Sequence, residues 1–180
     1  MTTFTASVAA SSDDAQESAG TVLIDGTNLN ANSATQISAV RFQNVTIPPG
    51  STINSAYITV NITSTTYDDP AATIRGNGEA NPATFTTAAN HLTDRFKTSA
   101  SVAWNGTGLG SGAENTPSLV TLVEEIIAIS GWTSGNAMAF YFTGSASSSI
   151  RFNSYDNGSG IPSITIDYTC LLYTSDAADE

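Results

Sequence analysis

The chain has 180 residues, a formal net charge of −11 and only five Lys+Arg. That excludes the clustered cations a nucleic-acid or anionic-membrane partner requires. One His and one Cys exclude an ordinary His/Cys zinc site, and no apolar run reaches the length of a membrane span.

The predicted elements follow in chain order. Phe4, Ala6 and Val8 alternate with Thr3, Thr5 and Ser7, the period of a strand with one face covered. Residues 11–18 are polar and acidic and read as a loop. Residues 21–24 read as a short strand ended by Asp25-Gly26, and 28–35 as a polar connector. Residues 40–63 read as two strands joined by a turn at Pro48-Pro49-Gly50. Val40 and Phe42 share one face of the first strand. Ala56, Ile58, Val60 and Ile62 share one face of the second, with Tyr57, Thr59 and Asn61 opposite.

Tyr67-Asp68-Asp69-Pro70 is a turn signal, and 72–75 a strand. Residues 81–98 look irregular, with Phe85, Leu92 and Phe96 as anchors. A strand at 101–104 ends in Asn105-Gly106, followed by a glycine-rich loop at 106–113. Leu119, Leu122, Val123, Ile126 and Ile127 fall at helical spacing, which predicts a helix over 119–129. Thr116 suits its N-cap, Pro117 its first position and Gly131 its end. Met138, Phe140 and Phe142 alternate in a further strand, and 150–152 and 164–168 complete the set. Short strands at regular spacing with one helix predict an all-β fold, an antiparallel jelly-roll-like sandwich, in a single domain over 1–169.

Three segments carry a resemblance. They are Val40-Arg41-Phe42 with Ile47-Pro48-Pro49-Gly50 and Ile53-Asn54-Ser55-Ala56-Tyr57; Gly131-Trp132-Thr133-Ser134-Gly135 after the helix; and Phe152-Asn153-Ser154-Tyr155-Asp156 before Pro162 and the last strand. Together they resemble the DNRLRE-type and carbohydrate-binding-module-like jelly-roll domains of large extracellular proteins. The resemblance implies a non-catalytic module and a structural calcium joining the N-terminal region to the closing strands. Residues 170–180, CLLYTSDAADE, resemble a translated sequencing-library adapter. On that reading the tail is not native, the native chain continues past Thr169, and Cys170 drops out of any thiol argument. The net charge becomes −8 without Asp176, Asp179 and Glu180.

Chemistry has few places to sit. His91 lies in a polar run, and no G-x-S-x-G motif supplies a nucleophile, so the chain reads as no enzyme. Calcium takes six to eight oxygen ligands. Asp13, Asp14 and Glu17 offer three carboxylates in the early acidic stretch, and Asp156, near the closing strand, adds another if the fold brings it close. Glycan binding needs aromatic faces beside polar groups. Tyr67 with Asp68, Tyr155 with Asn157, and Trp104 are the candidates, while Trp132 reads as core. The expected role is a module of a larger exported protein, at the cell surface or outside it, that binds polysaccharide or glycan weakly. The alternative is a structural or adhesive spacer that meets only neighbouring modules.

Overall fold

The computed structural model describes residues 1–66, 72–106, 108–145 and 149–170. The alternating runs form two six-stranded sheets in which every strand pairing is antiparallel. The first sheet holds β1 (Thr2–Ser7), β4 (Asn28–Ala31), β6 (Thr52–Thr66), β9 (Gly112–Asn115), β11 (Ser149–Asn153) and β12 (Ser163–Thr169). The second holds β2 (Asp14–Ser18), β3 (Thr21–Leu23), β5 (Gln36–Phe42), β7 (Ala72–Gly76), β8 (Val102–Trp104) and β10 (Met138–Gly144), in the order β3-β2-β5-β10-β7-β8.

The long strand β6 organises the first sheet. Thr59 lies between Ser163 of β12 and Asn115 of β9, and Ile62 between Phe152 of β11 and Gly112 of β9. A residue has one neighbour on each side, so β11 and β12 share one edge of β6 and β9 takes the other. β11 and β12 are therefore one strand interrupted by an excursion over residues 154–162.

The core lies between the sheets. Ala56, Ile58, Val60 and Ile62 face Val40, Phe42, Met138, Phe140 and Phe142, all buried, as the alternation requires. Helix α1 (Val120–Ile127) buries Leu122, Val123, Ile126 and Ile127 and touches both β6 and β7, closing the gap between the sheets. Gly76 permits this approach: a Cβ there would sit 2.7 Å from Ile126 Cδ1. The helix starts later than its sequence signals suggest. Thr116 Oγ1 accepts a bond from the Ile58 N–H, and Thr116 N–H donates to Ile58 O. The residue thus extends the β9 side of β6 instead of capping α1.

The strands flanking the Pro48-Pro49-Gly50 turn, β5 and β6, lie in different sheets: that segment, with Gly50 at φ +73°, carries the chain from one to the other. Two further expectations change. Residues 11–18 are not a loop but a 3-10 turn (Ser11–Asp13) leading into β2, in which Asp13, Asp14 and Glu17 are buried. The 28–35 connector contains β4, whose backbone is completed by side chains of the other sheet. Gln16 Oε1 accepts from Asn30 N–H at 3.1 Å, and Ser38 Oγ donates to Asn30 O at 2.7 Å.

Residues 81–98 are irregular, as expected, and cover the outer face of the second sheet. Phe85 and Leu92 pack there on Ala15, Ala39, Ala139 and Tyr141, so that face is dry at its centre. Four of the five cations hold this cover. Arg41 donates to Pro82 O, Arg75 to Thr98 O and Ser99 O, Arg95 to Ala83 O and Thr84 O, and Lys97 to Leu92 O, Thr93 O and Arg95 O. Phe96 is not an anchor: it is 75% exposed.

Candidate functional site

The carboxylates grouped by the sequence do not converge, and the reason is strand geometry. Side chains three apart on a strand point to opposite faces, so Asp14 and Glu17 of β2 cannot share an ion. Asp13 binds Arg41 Nη1 at 2.5 Å and accepts from Gln43 Nε2. Glu17 faces the covering segment, where its carboxylate accepts the N–H groups of Leu92 at 2.7 Å and Thr93 at 3.1 Å, and the Thr93 hydroxyl.

Asp14 points the other way, toward the excursion between β11 and β12. It is 1% exposed and accepts the Tyr155 N–H at 2.6 Å. Asp156, two residues after the excursion begins, accepts from Ser11 Oγ at 2.7 Å through Oδ1, while its Oδ2 is buried with no hydrogen-bond partner among the described residues. Ser154 adds two more stitches, donating from Oγ to Gly26 O and from N–H to Thr27 O. The excursion is thus tied to the N-terminal turn and to the β3–β4 connection. Burial raises the Asp14 pKa from 3.8 to about 7, against the lowering effect of the Tyr155 bond; Asp156 and Asp13 nearby add to the rise. A cavity of about 20 Å³, the size of one water, adjoins Asp14 beside Gln16, Leu23 and Gly26.

The fit to calcium follows from this donor set. Two carboxylates, of Asp14 and Asp156, and the Ser11 hydroxyl are the side-chain oxygens gathered here, while calcium takes six to eight oxygens from side chains, backbone and water together. Among the described residues no group of three or more His, Cys, Asp or Glu is arranged to hold a metal ion.

The aromatic candidates separate. Tyr67 and Asp68 lie outside the described residues. Trp104 is a core residue, 2% exposed and packed against Phe142 with ring centroids 6.1 Å apart, so it offers no face to a sugar. Trp132 is buried as expected and donates from Nε1 to Ile47 O at 3.0 Å. Tyr155 is half-buried, packed against the core, with Asn157 exposed beside it on the same excursion. Asn157 Oδ1 accepts from Ser159 Oγ.

His91, in its polar run, is half-buried. It lies edge-on to Phe85, between Thr86 Oγ1 and Arg95 Nη2. Burial and then the Arg95 charge push its pKa down. Ser11 and Ser154, which tie the excursion in place, carry no sequence signal in a serine-rich chain. Tyr141 is a second unanticipated group. Its hydroxyl is buried beneath the covering segment without a partner among the described residues, Lys97 Nζ lies 4.9 Å from its ring centroid, and burial raises its pKa to about 12.

No protein-family model matches this chain, and no curated protein matches it either.

Proposed function

We propose that the chain is a non-catalytic structural or adhesive module of a larger extracellular or cell-surface protein. The observation that carries this reading is the inward placement of its aromatic groups. Trp104, Trp132, Phe42, Phe85, Phe140, Phe142, Phe152 and Tyr141 are all buried, and among the described residues the exposed large hydrophobics are Met1, Leu23 and Phe96. Single exposed apolar side chains are ordinary on a protein surface. The Ser/Thr/Asn-rich surface and the resemblance to DNRLRE-type and carbohydrate-binding-module-like domains support the compartment.

The strand pairing suggests how such a module would be carried. Thr2 is the cross-strand partner of Tyr168. A longer chain entering through β1 and leaving through β12 would do so at one corner, and the sandwich would hang beside that chain instead of extending it.

A second reading is weak glycan binding at the excursion. Its support is the pairing of half-exposed Tyr155 with exposed Asn157 on a backbone pinned through Asp14, since a preordered platform lowers the ordering cost of binding. Retention of the chain on a panel of insoluble polysaccharides separates the two. The structural reading expects no retention. Retention that Tyr155→Ala abolishes, with the fold intact, would replace it by the glycan reading.

A further inference from the structure

Sheet edges invite pairing with other chains, and proteins blunt them with charge, proline, bulges or short length. Four edges here are blunted. β3 and β8 are three residues long. β9 carries Glu114. β4 is covered by the Gln16 and Ser38 side chains.

β1 has none of these protections. It is six residues long, TTFTAS, without a charge or a proline, and it pairs with β12 in one unbroken register. Val8 N–H donates to Pro162 O. Antiparallel ladders alternate bonded and non-bonded pairs, so the even-numbered residues of β1 bond to β12. The N–H and C=O groups of Thr3, Thr5 and Ser7 therefore point off the edge. No hydrogen bond reaches these backbone groups among the described residues. Phe4 and Ala6, on the inner face, are packed against the core but only half-buried.

We propose that the β1 edge pairs with the β1 edge of a second copy of this chain, joining two first sheets across a twofold axis. One register satisfies every outward group: Thr5 opposite Thr5 of the second copy, and Thr3 opposite Ser7. The same register sets Phe4 opposite Ala6 in the closely spaced non-bonded positions, a large side chain against a small one. On the outer face it aligns hydroxyl side chains, a favourable cross-strand pairing. The strand is self-complementary, and no charge on it opposes its own image. The nearest acid, Asp167, accepts from the Thr3 and Ser55 hydroxyls. The net charge of −11 makes the copies repel at long range, and salt screens that repulsion. Pairing through this edge therefore strengthens as salt rises, the opposite of an interface built on ion pairs.

Sedimentation equilibrium of the 180-residue chain, over a series of protein and salt concentrations, tests this. The expected result is a reversible dimer favoured by concentration and by salt. Thr5→Pro removes the central outward N–H without touching a β1–β12 bond, and proline is tolerated on an edge whose N–H faces solvent. It is expected to leave the chain monomeric, with the parent's melting temperature at dilutions where the parent is itself monomeric. If that variant fails to fold, Thr5→Lys provides the same test by placing like charges opposite each other at the axis. A chain that stays monomeric at every concentration and salt, or a dimer that survives both substitutions, overturns the proposal.

Discussion

Asp14 makes stability depend on pH in an unusual direction. Its carboxyl titrates near 3.8 when the chain is unfolded and at about 7 when folded. The folded state therefore holds the proton more tightly. The stabilisation this provides is fully present below about pH 4 and is lost as pH rises through 7. The full span is about 4 kcal/mol at 1.36 kcal/mol per pKa unit. Between about pH 5.5 and 8 the loss is about 2 kcal/mol, which lowers the melting temperature by roughly 4–8 °C in a chain of this size.

Asp14→Asn keeps the shape, removes the ionisation and retains an acceptor for the Tyr155 N–H. The variant is expected to lose this pH dependence and to exceed the parent in stability at about pH 8. His91 works the other way: its lowered pKa adds stability as pH rises through 6.5. It is common to both chains, so the difference between them isolates Asp14. Thermal or urea unfolding of both chains across this range is the assay. Equal slopes for the two chains would refute the reasoning. Repeating the series with calcium and with chelator asks whether a cation replaces the proton. A calcium-dependent gain above pH 7 that vanishes in Asp14→Asn would place a cation between Asp14 and Asp156.

Two further expectations follow from groups whose roles emerged in the folded chain. Glu17→Gln weakens the charge-assisted bonds to Leu92 and Thr93, with a cost of about 1–3 kcal/mol. Hydrogen exchange is expected to quicken at those two amides before the β-strands respond, and unchanged protection there would show that Glu17 does not hold the cover down. Trp104→Ala, at a fully packed core position, is expected to cost about 3–5 kcal/mol in urea unfolding. A loss below about 1 kcal/mol, within the range of ordinary surface substitutions, would mean the ring is not packed as described.

Which faces are apolar is legible in the residue order alone. Alternation at Ala56–Ile62, at Val40 and Phe42, and at Met138–Phe142 marks strands because side chains on a strand alternate faces whatever the strand pairs with. The spacing of Leu122, Val123, Ile126 and Ile127 marks the helix for the same local reason. Which strands become neighbours is a different kind of information. The turn at Pro48-Pro49-Gly50 looks the same whether it closes a hairpin or crosses between sheets, so only the folded chain assigned β5 and β6 to opposite layers.

Polar strands were hidden for a related reason. Asp13, Asp14, Gln16 and Glu17 read as a solvated loop, because the groups that make their burial tolerable lie far along the chain: Arg41, Tyr155, Asn30, Leu92 and Thr93. Burial of a charge depends on such partners, and a local pattern does not contain them. The grouping of Asp13, Asp14 and Glu17 diverges for the same reason. Three nearby carboxylates look convergent in a loop, but once that stretch becomes β2 the pleat sends Asp14 and Glu17 to opposite faces. Trp104 reads as a glycan candidate because alternation has no room to register in a three-residue strand, and only the folded chain, which packs it against Phe142 two strands away in the same sheet, places it in the core.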